Sequence, residues 1–354
     1  MFPCLTHIKT SKINFSAAID ELIEQILCVE NVIRAVFFVK SEDNNTYLNQ
    51  LAICREKIGQ RFLFSLVAQP PLSDGVSVEC EVSFLKANQF DSLEQRSVED
   101  YFYFVGKKGN QKAVFSTLIS SDLTLSVQKQ SEEIFSRLDK ILKQESMPIN
   151  SIVRQWNYIE SITEIDGCGQ RYQQFNDARS SFYAQTHWPF GYPAATGIGI
   201  SSGGVIVEVN AVKNANLKPI DNALQVPAHK YSEAVLMCGT EKVASSPKFE
   251  RAKLQDDKWL YISGTAAIRG EKNIDLLSEE QTKITLENID DLLCRAAMTA
   301  EDLVALRVYV KNKSDFLAVK KVTDKLPLGI AMIFVQSDVC RPELLVEIEG
   351  IAQK

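Results

Sequence analysis

Two glutamates, Glu347 and Glu349, stand two residues apart in the apolar run LLVEIEGIA, residues 344–352. The run alternates like a β-strand, whose side chains point to opposite faces in turn. Glu347 and Glu349 therefore share one face, and Val346 and Ile348 the other. Two carboxyls on one face near a dry pocket repel each other if both ionise. Burial and a neighbouring carboxylate each raise a carboxyl pKa. A carboxylic acid that stays neutral near pH 7 can act as a general acid, whereas an unperturbed Glu, with a pKa of about 4.3, is mostly ionised there. The alternative readings are two solvated strand residues or a carboxylate paired with a lysine.

Two other stretches are rich in small residues: PAATGIG, residues 193–199, with Thr196 and Gly197, and SGTAAIRG, residues 263–270, with Gly264 and Ala266. Glycine lets a ligand approach the backbone closely and leaves N–H groups for an anion or a hydroxyl. Plain close packing is the alternative. Neither stretch is a nucleotide loop, because no Lys-Ser/Thr follows. Cys340 reads either as a pocket-wall residue and weak hydrogen-bond partner or as a buried small hydrophobe. No histidine lies near it in sequence to activate it as a nucleophile.

The elements that must position these residues repeat along the chain. From Gln281 the sequence reads helix, strand, helix, then the strands GIAMIFVQSDV and LLVEIEGIA. The same order runs from Gln130, with Leu138 matching Ile289, Val153 matching Val304, and Glu208 and Asn210 standing for Glu347 and Glu349. It appears a third time near the N-terminus, without opening strands, where FFVKSEDNNTYL parallels VYVKNKSDFL and Glu79 and Glu81 repeat the polar pattern. A unit of this kind has one sheet face to cover, so three units would bury those faces against one another. The expectation is an α+β chain of three α/β units, residues 1–96, 97–220 and 221–354, arranged as a pseudo-trimer, with small-molecule clefts where units meet.

Bulk properties narrow the function classes. The chain has 354 residues and a net charge of −6, with no basic patch interleaved with aromatics, so no nucleic-acid partner is expected. No apolar run reaches the ~18 residues of a membrane span, and the opening MFPCLTHIKTSK lacks a signal-peptide core. Eight scattered cysteines without a CxxC pair, and only three histidines, predict reduced thiols, a cytoplasmic location and no metal site.

The third unit resembles the RidA-like (YjgF) superfamily through YISGTAAI, Gln281 with LEN, VYVKNKSDF and VEIEGIA. RidA enzymes hydrolyse reactive imines with an arginine in a P-A-R turn. Here the turn reads PAATG, with Ala195 in the arginine's place. Residues 97–354 more closely resemble the chorismatases, chorismate-cleaving enzymes on a RidA-like core. The carrying stretches are RQWNYIESI, RYQQFNDAR, ATGIG, NALQVPAHKY, PKFERA, YISGTAAIRGE and CRPELLVEIEG. The resemblance implies Glu347 as catalytic acid and Cys340, seven residues earlier, as the position that helps decide the product. It implies cleavage of chorismate to pyruvate and 3-hydroxybenzoate, or a dihydroxycyclohexadiene carboxylate, without cofactor. A dicarboxylate substrate calls for cations: Arg171, Arg179, Lys230, Arg251 and Arg341 are candidates, and the resemblance favours Arg171 and Lys230. Tyr231 completes the expected contacts. Ala223 and His229 replace the family's usual arginine and tyrosine. The competing readings are a RidA-type imine or enamine hydrolase and a non-catalytic small-molecule binder.

Overall fold

The computed structural model describes residues 3–120, 122–167, 169–232 and 245–354. The first sheet has β1 (Cys4–Thr10), β2 (Val32–Val39), β3 (Leu63–Val67) and β4 (Val78–Phe84) in the order β1-β4-β2-β3, with helices α1 (Phe15–Leu27) and α2 (Asn44–Ile58). The second contains β5 (Ser92–Val98), β6 (Tyr101–Lys108), β7 (Gln111–Ile119) and β8 (Ile152–Glu160), the last two joined through α3 (Val127–Gln144). A small ribbon, β9 (Ile165–Asp166) and β10 (Gly169–Gln170), precedes α4 (Arg171–Tyr183), which leads to β11 (Ala194–Ile200) and β12 (Val205–Lys213). Its order is β11-β8-β12-β7-β6-β5. The third has β13 (Leu217–Ile220), β14 (Ala252–Gln255) and β15 (Trp259–Ala266), then the ribbon β16 (Ile268–Arg269) and β17 (Lys272–Asn273). After α5 (Ser278–Arg295) come β18 (Leu303–Val310), α6 (Phe316–Thr323), β19 (Ala331–Gln336) and β20 (Val346–Gln353), in the order β13-β14-β15-β20-β18-β19. The chain is thus a mixed α+β protein with several sheets.

Local chemistry explains these elements. Asp43 caps α2 by accepting from Thr46 N at 2.7 Å, and Asn14 caps α1 by accepting from Ala17 N at 3.0 Å. Helices α3 and α5 end alike: Ser146 and Ala297 have φ of 52° and 54°, and Met147 N and Met298 N each reach back 2.8 Å to the carbonyls of Leu142 and Leu293. That is a Schellman closure at matching positions, made without glycine. Each sheet contains one parallel pair, β2–β3, β8–β11 and β18–β19. Parallel neighbours need a crossover, and α2, α4 and α6 supply it.

Three details depart from the sequence reading. The N-terminal segment does have an opening strand: Cys4–Thr10 pairs antiparallel with β4. Strand β5 hydrogen-bonds into the second sheet, and β13 into the third. The third concerns Glu208, which faces Trp156 across the ladder as Glu349 faces Arg307. Trp156 and Arg307 follow the matched Val153 and Val304 at the same distance. Glu208 therefore lies where Glu349 does, and Ile206 lies where Glu347 does. The sequence comparison was off by two residues because it could not see the ladder.

The sheets meet around buried ion pairs. Arg34 on β2 pairs with Glu208 on β12 (Nε to Oε2, 3.3 Å), Arg154 on β8 with Glu349 on β20 (2.7 Å), and Arg307 on β18 with Glu81 on β4 (2.5 Å). Each arginine thus reaches from its own sheet to a glutamate of another. A single apolar cluster also draws residues from all three sheets, among them Phe115, Tyr261 and Ile33.

Candidate active site

Glu347 opposes Ala266 on β15 and Tyr309 on β18, while its strand neighbours Val346 and Ile348 are sealed in the third sheet's core. The carboxylate face was predicted correctly, but the two carboxyls have different fates. Glu349 turns inward and is held by Arg154 Nη2 (2.7 Å), Trp156 Nε1 (2.7 Å) and, at 3.4 Å, Arg307 Nη1. Glu347, 5% exposed, turns to a cleft. Burial above all, and then the charge of Glu349, pushes its pKa up to about 8, against the opposing pull of Arg154 and Arg251.

A β-bulge makes room for this carboxyl. The β15–β20 register slips between Ile262 and Thr265, which leaves Ser263 and Gly264 unpaired in the ladder. The freed groups bond across to β11: Gly264 N donates to Thr196 Oγ1 (3.0 Å), and Ala195 N donates to Ser263 Oγ (2.9 Å). Arg154 Nη2 also donates to Thr196 Oγ1 (2.8 Å), so one guanidinium braces both Glu349 and the bulge. A Cβ at Gly264 would stand 2.0 Å from Glu347 Oε1 and 3.0 Å from Thr196 Cγ2. Gly264→Ala is therefore expected to crowd Glu347 and to destabilise the protein by about 1–3 kcal/mol while secondary structure persists, as thermal melts followed by circular dichroism would register.

The cleft lies between the second and third sheets and encloses about 660 Å³, its open mouth included. Helix α4 contributes Tyr172 and Asn176, spaced four residues apart and so on one helical face. The Tyr172 ring lies over Gly197, where a Cβ would meet it at 2.7 Å. The third unit contributes Tyr231, Phe249, Arg251, Cys340 and Arg341 alongside Glu347. Arg251 Nη2 donates to the Tyr231 hydroxyl (2.6 Å), and Arg341 sits over the Tyr231 ring at 5.1 Å. Burial, followed by the charge of Glu347, pushes the Cys340 thiol up to about 12, so it stays protonated at neutral pH and can donate rather than attack.

The structure gathers some of the sequence candidates and not others. Glu347, Tyr231, Gly264, Ala266 and Cys340 line the cleft. Thr196 and Gly197 stand just behind its wall and support Gly264 and Tyr172. Arg171 does not line it: its Nη1 donates to the Glu160 carbonyl (3.0 Å), with Glu160 and Asp166 carboxylates nearby. Lys230 is exposed and also off the wall. Among the candidate cations, Arg251 and Arg341 reach the cleft, whereas Arg179 is buried behind Asn176, to which it donates at 2.6 Å. Arg171 is turned about 100° around the helix from Tyr172, towards Glu160 and Asp166. Arg154 and Trp156 escaped the sequence reading. The two-residue alternation of RQWNYIESI was their signal, since it places both on the face that meets β20.

The comparisons follow the same outline. Residues 98–211 match the family model described as chorismatase FkbO/Hyg5-like, N-terminal, and residues 239–354 match the model described as endoribonuclease L-PSP. A 3-hydroxybenzoate synthase from Streptomyces hygroscopicus is 30% identical over 229 residues, 58% of this chain and 65% of that protein. A chorismatase from Streptomyces rapamycinicus is 28% identical over 57% of this chain and 64% of its own length. The matched part therefore spans a little under two thirds of these curated relatives. The crystal structure of a chorismatase superposes with a TM-score of 0.75 at 19% identity, covering 99% of this chain and 98% of that one, which shows a shared fold. By sequence this chain is similar to chorismatases over its central and C-terminal parts, and it shares a chorismatase's fold, while residues 239–354 also resemble the L-PSP family.

Proposed function

We propose that the protein is a chorismatase that cleaves chorismate to pyruvate and 3-hydroxybenzoate. The observation that carries this reading is one buried carboxyl, Glu347, whose pKa near 8 keeps it protonated at neutral pH inside a cleft. Glu347 transfers its proton to the terminal methylene carbon of the enolpyruvyl ether, which leaves an oxocarbenium ion. The carboxylate formed lies beside that cation and stabilises it. The ring hydroxyl then adds to the cation and returns a proton to Glu347. Its own ring C–O bond breaks, the adjacent ring C–H proton ends on the remaining ring oxygen, and the ring aromatises as pyruvate departs with the hydroxyl's oxygen. Trapping by water instead would yield the dihydroxycyclohexadiene carboxylate. Arg251 and Arg341 receive the substrate carboxylates, Tyr231 and Tyr172 flank the ring, and Cys340 borders the reacting oxygen.

The units behind this site are three α/β modules packed as a pseudo-trimer, the second starting with β5 and the third with β13. The repeated strand orders and the three arginine–glutamate pairs running from sheet to sheet support that arrangement. Among the described residues no helix is long and apolar enough to cross a membrane. A cytoplasmic enzyme acting on a free metabolite, without a nucleic-acid partner, fits this reading.

The test incubates purified protein with chorismate and follows pyruvate through a coupled assay. Pyruvate release that Glu347→Gln abolishes is expected, and an absence of pyruvate from the native protein would end the proposal. Mass analysis of the ring product separates the two outcomes, because the hydrolysed diene is heavier by one water. Cys340→Ala is expected to raise the hydrolysed share, read from the same spectra.

A further inference from the structure

A second cleft, of about 850 Å³ with its open mouth included, lies between the first and second sheets. Its strand residues correspond to those of the first, although it abuts the last turn of α2 and the first abuts the opening turns of α4. Ile119 faces Ile206 across the β7–β12 ladder as Ala266 faces Glu347 across β15–β20, and Ile206 faces Tyr158 as Glu347 faces Tyr309. The two sheets that border each cleft are joined by a buried arginine–glutamate pair, Arg34–Glu208 here and Arg154–Glu349 there. The wall positions differ in character. Phe64, Tyr101, Phe102 and Ile119 make the walls apolar and aromatic. Thr117 is 8% exposed, lines the cleft, and its Oγ1 is buried without a hydrogen-bond partner among the described residues. Arg55 stands at the mouth, exposed, in no ion pair with the described residues. Asp100 is also at the mouth.

We propose that this cleft binds a planar ring monocarboxylate without transforming it. The aromatic walls suit a flat ring, and Arg55 suits one carboxylate. A second carboxylate would meet Asp100, so dianions are disfavoured. No carboxyl corresponds to Glu347 here, because Ile206 stands at that ladder position. On the chorismatase reading, the ligand that fits is the monoanionic product rather than the dianionic substrate, and the naming of 3-hydroxybenzoate rests on that reading.

The experiment labels isoleucine methyl groups with carbon-13 in the full chain and titrates 3-hydroxybenzoate, with benzoate and uncharged benzyl alcohol alongside. Ile119→Val and Ile206→Val assign the two methyl signals. The expected result is a saturable shift of Ile119 with both acids but not with benzyl alcohol, weakened at least tenfold by Arg55→Glu. Pyruvate release by Arg55→Glu should equal that of the native protein. An Ile119 signal that does not move at millimolar acid, or that moves equally in Arg55→Glu, overturns the proposal. Arg55 is an exposed helix residue, so the variant retains the fold. The pyruvate assay reports on the first cleft independently, so failure of either proposal is visible on its own.

Discussion

Glu347→Gln is expected to lower chorismate turnover by about 10³-fold, within the range for loss of a general acid, and at the same time to stabilise the protein at alkaline pH. Both effects come from one cause. The Glu347 carboxyl is held near pKa 8 when folded, against about 4.3 in an unfolded chain. Because the folded value is the higher one, the folded state binds the proton more tightly. That contribution is fully present below about pH 4.3, declines as pH rises, and is gone above about pH 8. Each pKa unit corresponds to roughly 1.4 kcal/mol, so the whole swing is on the order of a few kcal/mol. A glutamine has no proton to lose. The melting temperatures of the two proteins should therefore diverge between pH 5 and 9, with the variant higher at the alkaline end. Turnover by the native protein should fall above about pH 8, as the acid ionises. Parallel melting curves across this range would mean that the carboxyl is hydrated and ordinary.

Arg154→Met is expected to destabilise the protein by about 3–5 kcal/mol, the usual cost of removing one partner of a buried ion pair. Arg154 is 1% exposed and binds both Glu349 and Thr196. Its loss leaves Glu349 with Trp156 and the longer Arg307 contact. The double variant Arg154→Met/Glu349→Gln should recover much of the loss, since the uncompensated charge is gone. Urea denaturation of the two proteins reads the difference. A double variant no more stable than the single one would show that packing, not charge, sets the cost.

The sequence alone determined most of the elements. The helix spanning NNTYLNQLAICREKI was legible from its polar opening and the Gly59 that follows, and it forms over the same residues, Asn44–Ile58. The alternation around Glu347 told that the two carboxyls share a face. These features depend on residues within a few positions of one another, so local chemistry decides them. The tertiary structure alone decided which carboxyl faces the cleft, because Arg154 holds Glu349 from 195 residues away in the chain. It alone decided that Arg251 and Arg341, rather than Arg171 and Lys230, line the wall. The bulge at Ser263 and Gly264 was likewise invisible, since a register slip exists only relative to a partner strand. Charge partners, strand register and cleft membership are set by where distant segments pack, and one-dimensional spacing carries no record of that distance.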